Sequence, residues 1–140
     1  MAKDPQINQW ALTLLRVVLG IIFIYHGYIK LFVTGGFKGT IAFFSAIGIP
    51  AATYSALVVA LAEFIGGLLL LIGLLTRWTT LVLIFEMTVA FFVVHLKNGL
   101  LVSKGGYELV LILIASLVVI LTSGAGKISI GKLFKNKNLQ

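Results

Sequence analysis

The chain has 140 residues, 60% of them hydrophobic and 11% charged, with a mean hydropathy of +1.13. Soluble domains sit near roughly half apolar and a quarter charged, so this composition excludes an ordinary soluble domain and indicates a membrane protein. Eleven basic residues against four acids give a net charge of +7. The basic residues sit at the ends of apolar runs, which points away from nucleic acid and towards anionic lipid head groups. The absence of cysteine excludes disulfide exchange, thiolate metal sites, Cys-ligated iron–sulfur clusters and covalently attached haem.

The N-terminal apolar stretch is too long for a signal-peptide core and has no small-residue cleavage site, so it reads as a membrane span. That first span runs from about residue 10 to 33, enough to cross a hydrocarbon core of about 30 Å. Trp10 suits an interfacial anchor. The second half of the span, Tyr25-His26-Gly27-Tyr28-Ile29-Lys30, is too polar for lipid exposure, and Gly35-Gly36 ends it. Residues 38–48 are too few to span, and with Phe43 and Phe44 at their centre they predict a short interfacial or re-entrant helix.

Pro50 marks a fresh helix start. The second span, 51–75, carries one charged residue, Glu63. Thr76-Arg77 is expected to form a tight turn that makes spans two and three antiparallel neighbours. The third span covers 78–96 with Glu86 near its middle, and the fourth covers 107–123 with Glu108 at its start. A basic tail, 127–140, follows. The expected fold is therefore all-α: one integral membrane domain, a four-helix bundle with a short helix between spans one and two. An even number of spans puts both termini on one side. Six basic residues there against four on the other favour cytoplasmic termini in a multi-pass cell-membrane protein.

Ionisable groups inside a membrane cost roughly 2.5–3.5 kcal/mol each by insertion scales, so they are expected to converge in the interior. Arg16, Glu63 and Glu86 lie deepest and form the expected structural ion pair. His26, Lys30, His95 and Glu108 lie towards the other face. On an ideal helix Arg16, Gly20, Gly27 and Lys30 share one side of span one. Ala56, Ala60, Glu63, Gly66 and Gly67 form a stripe of small residues on span two, a close-packing face. Glu86 and His95, nine residues apart, fall on opposite sides of an ideal helix, which requires a distorted helix or separate neighbours. Two histidines suffice in principle for one b-type haem. Hydrogen bonding from His26, His95 and Lys30 to a quinone head group, with Tyr25 beside it, is the stronger expectation. No close spacing supports a metal site.

These residues resemble the DoxX family of small four-span membrane proteins. The matching pieces are Leu15-Arg16, His26-Gly27, Lys30-Leu31, Gly48-Ile49-Pro50, Ala62-Glu63, Gly66-Gly67, Leu74-Leu75-Thr76-Arg77, His95 with Asn98-Gly99, and Gly106-Tyr107-Glu108. Gly124-Ala125-Gly126 stands where the family pattern has Gly-Pro-Gly, and Glu86 lies outside that pattern. The family is similar to the quinone-linked DoxD subunit of thiosulfate:quinone oxidoreductase. The resemblance implies a quinone-interacting subunit of a membrane oxidoreductase, with other oxidoreductase subunits or further copies of itself as partners. On this reading Glu63, His26, His95 and Glu108 do the catalytic work. A proton-coupled small-molecule transporter and a non-catalytic assembly partner are the alternatives.

Overall fold

The structure, a computed structural model, describes residues 5–131, with side chains from Asn8 onward. Most of the basic tail lies outside the described residues. Pro5 opens α1 (Pro5–Phe32) at a helix position whose missing N–H costs nothing. Gly35, at φ +83°, turns the chain into α2 (Gly36–Ala46). The spanning helix α3 (Ala52–Ile72) ends on Gly73 in the left-handed conformation, φ +71°, the usual helix stop. The turn to α4 (Thr76–Ala90) is thus Gly73–Leu75. Thr76 and Arg77, expected to form the turn, instead open the next helix.

The helix α4 runs without a break into a π turn, Phe91–His95, and a 3-10 turn, Leu96–Asn98. A loop holding another 3-10 turn, Val102–Lys104, leads to α5 (Glu108–Ser123). Residues 8–32, 52–72 and 76–98 are each long and apolar enough to cross a membrane. With 16 residues α5 reaches roughly 24 Å at 1.5 Å per residue.

All described regular structure is helical. α1 packs on α3, α3 on α4, α4 on α5 and α5 back on α1, while α2 lies against α1 and α3. Leu19, Phe23, Leu70, Leu83, Met87, Leu113 and Leu117 fill the centre. The outside carries Leu14, Ile21, Val58, Ile65, Phe85 and Ile112, all exposed. A bundle apolar on its outer surface as well as in its core is built for lipid, so the chain folds as an all-α membrane bundle.

Contact between α1 and α3 is backbone to backbone. A methyl group on Gly67 would lie 2.5 Å from the Ile24 nitrogen, one on Gly20 would lie 2.8 Å from the Leu71 nitrogen, and one on Gly27 would overlap Phe64. These glycines set the register: Gly20 beside Leu71, Gly27 beside Phe64 and, one turn further, Lys30 beside Glu63. The stripe on α3 serves two neighbours, since Gly67 faces α1 and Gly66 faces Leu83 and Thr79 of α4.

Ala51, just before α3, is exposed and holds φ at +50°. A left-handed alanine costs about 1–2 kcal/mol. Ala51→Gly should therefore raise stability by about 0.5–1 kcal/mol after allowing for the freer unfolded chain, measurable by thermal denaturation in a fixed detergent.

Candidate functional site

At the end of the bundle remote from the termini, the helices part around a cavity of about 990 Å³. Its walls come from the second half of α1, the first half of α3, the second half of α4 with its π turn, and the start of α5. The short helix α2 closes one side with Phe43 and Phe44, and Gly105 and Gly106 border it from the loop. The lining is mostly apolar, and its polar members are His26, Lys30, Glu63, Glu86 and His95 with the hydroxyl residues Thr40, Tyr54 and Ser55.

Glu63 is 4% exposed, and its Oε2 accepts from the Lys30 ammonium. This ion pair replaces the expected pairing of Glu63 with Arg16. Antiparallel packing in the glycine-set register carries Arg16 towards the C-terminal end of α3, about two turns from Glu63. There its guanidinium donates to four backbone carbonyls: Nη1 to Leu70 and to Leu71 (2.9 Å), Nε to Ala125 (2.9 Å) and Nη2 to Ile128 (2.6 Å). The first two are carbonyls of the last turn of α3, which lack partners within the helix. Arg16 thus ties α1, the end of α3 and the segment 124–131 together, and takes no part in the cavity. Thr13 Oγ1 accepts from Lys127 N at 2.8 Å, and Ser129 Oγ donates to Gly73 O at 2.7 Å, completing that knot.

Glu86 enters the cavity from α4. Both of its carboxyl oxygens are buried and neither has a hydrogen-bond partner among the described residues. Glu63 and Lys30 are near enough to act on its charge. Three ionisable side chains from three helices therefore meet here: the Lys30–Glu63 ion pair and the Glu86 carboxyl beside it. Glu86, expected beside Arg16, belongs to this cluster instead.

The π turn resolves the conflict between Glu86 and His95. Bonding to the fifth residue instead of the fourth spreads more residues over each turn. His95 is thereby brought round to the side it would miss on an ideal helix, and both residues line the cavity. The histidine Nδ1 lies 2.7 Å from Gly105 O, which also accepts from Asn98 Nδ2 at 3.1 Å.

Tyr25 and Glu108 do not line the cavity. Tyr25 is exposed and stands edge-on to His26, ring centroids 6.1 Å apart. Glu108 Oε1 accepts from Val102 N at 2.6 Å, bracing the loop that carries Gly105. Glu63 and Glu86 are the carboxyls that line the cavity. The wall built by α2 was not legible in the sequence as part of a site. Only the paired Phe43 and Phe44 of a helix too short to span hinted at it.

The DoxX family profile matches residues 11–96, more than half of the chain. A Bacillus subtilis (strain 168) protein named "Putative oxidoreductase CatD" is 50% identical over 64 residues, covering 46% of this chain and 44% of that protein. An uncharacterised protein of Haemophilus influenzae (strain ATCC 51907 / DSM 11121 / KW20 / Rd) is 39% identical over 74 residues, 53% of this chain and 49% of its own. The chain thus spans about half the length of these two relatives. A second Haemophilus influenzae protein of the same strain, also uncharacterised, is 33% identical over 139 residues, 93% of this chain and 95% of its own. No solved structure matches the chain. The profile match takes in α1 to α4 and every polar residue of the cavity, from His26 to His95, and on this ground the chain belongs to the DoxX family.

Proposed function

We propose that the cavity binds the head group of a membrane quinone and that the protein is a membrane subunit of an oxidoreductase. One observation carries this reading: Glu86, with two buried and unpartnered oxygens, opens into an apolar cavity that also holds His26, Lys30, Glu63 and His95. A site of roughly 300–1,000 Å³ with mostly apolar walls and a few converging polar groups suits a small ring. When bound, a quinone supplies two-electron chemistry coupled to proton movement. His26, His95 and Glu86 are the hydrogen-bonding groups that meet its head group, and Phe43 and Phe44 flank it from α2. Lys30 and Glu63 hold the fixed charge that keeps the site polar beneath it. Electrons reach the ring from a partner subunit, since a chain without cysteine brings no thiolate chemistry of its own.

The exposed apolar belt faces lipid, and α5 serves as the fourth, short span. Pairing of Lys30 inside the bundle takes it out of the loop charge count. Six basic residues then oppose three, which strengthens the cytoplasmic placement of both termini. Purified protein titrated with short-tailed benzoquinones or naphthoquinones should bind one of them saturably. His26→Leu should weaken that binding by about tenfold, the worth of one hydrogen bond of about 1.4 kcal/mol. Absence of saturable binding to either ring class would end this reading.

A further inference from the structure

Resting on the quinone-site reading, we infer that the cavity selects a head group that donates hydrogen bonds, the dihydroxy form of the ring, with Glu86 and His95 as the accepting residues. A backbone carbonyl can only accept, so the contact between His95 Nδ1 and Gly105 O places a proton on Nδ1. In the neutral ring Nε2 is then left as a lone-pair acceptor. Asn98, donating to the same Gly105 oxygen, holds that carbonyl in place and with it the tautomer.

Glu86 adds two buried oxygens with no hydrogen-bond partner among the described residues. Whatever its charge, a carboxyl keeps at least one accepting oxygen. The Lys30 ammonium gives one of its three N–H donors to Glu63 and keeps two. Among the described residues His26 makes no hydrogen bond that fixes its tautomer, and it can serve either way. The buried cavity atoms without a partner among the described residues are the two Glu86 oxygens, and a buried acceptor left unpaired is costly. A ring carrying only carbonyl oxygens repeats that deficiency, whereas a ring carrying hydroxyls removes it. Those hydroxyl oxygens also accept, so Lys30 and His26 lose nothing.

The test compares three ligands of one ring system by calorimetric titration of the purified full-length protein without oxygen: the hydroquinone, the quinone, and the dimethyl ether of the hydroquinone. The ether keeps the ring and the acceptor oxygens but has no donor and adds two methyl groups, and the quinone is the donor-free ligand of matching size. The hydroquinone should bind at least about tenfold more tightly than the ether, and Glu86→Leu and His95→Phe should each reduce that preference. Equal binding of hydroquinone and ether by the unaltered protein would overturn the donor inference while leaving the quinone site standing. A preference undiminished in both variants would overturn the assignment to Glu86 and His95. Failure of all three ligands to bind would remove the quinone site itself and this inference with it.

Discussion

Lys30→Met should destabilise the protein by about 3–5 kcal/mol, the usual cost of leaving a buried charge without its partner. The cost arises at Glu63, whose side chain is 6% exposed, against 22% for Lys30. Without the ammonium two carboxyls, Glu63 and Glu86, face one another's charge across an apolar cavity. The converse change is milder. Glu63→Gln leaves an ammonium on a long flexible stem near the rim, where it can turn towards water, and should cost about 1–2 kcal/mol. Replacing both, Lys30→Met with Glu63→Leu, should return stability to within about 1 kcal/mol of the unaltered protein, because well-packed apolar residues commonly match a buried ion pair. Unfolding by added SDS, followed by circular dichroism, measures all three. Equal costs for the two single changes would show that depth does not decide which member of the pair matters more.

Arg16→Met should be comparably damaging, by about 3–4 kcal/mol, for a different reason. The guanidinium reaches four carbonyls from two separate segments, and its planar fork is what allows one side chain to do so. Methionine fills the volume but removes the Arg16 donors from Leu71 O, Ala125 O and Ile128 O, while Leu70 O keeps only Gly73 N. Lysine keeps the charge on a single nitrogen and should recover about half of the loss. Hydrogen exchange gives the discriminating signal. Amides of residues 127–131 should lose protection in Arg16→Met, while those around Glu63 keep theirs. Fast exchange around Glu63 in that variant would mean that Arg16 supports the cavity after all.

These two outcomes bear on how much the sequence disclosed. Helical class, the membrane environment, the short helix after the first span and the small-residue face around Glu63 are all legible from residue type and spacing. Each depends on the transfer preference of single residues or on the fixed geometry of one helix. The burial of Arg16 and Glu63 was legible too, because a charge is costly in lipid. The pairing was not. Arg16 and Lys30 lie on one side of α1, four turns of helix apart, and a helical projection offers Glu63 to either. Which cation it meets depends on how far α3 slides along α1.

By itself, then, the sequence determined an all-α membrane chain with few and valuable buried charges, and it placed Glu63 on a close-packing face. The tertiary structure decided the rest. Contact of Gly20, Gly27 and Gly67 with the facing backbone locked the register. That register gave Glu63 to Lys30 and sent Arg16 to the carbonyls at the far end of α3. The π turn brought His95 to the same cavity as Glu86. The physical reason is that transfer energies and helical phase belong to one segment at a time. Register and hydrogen-bond partners belong to pairs of segments, and only the packed molecule contains those pairs.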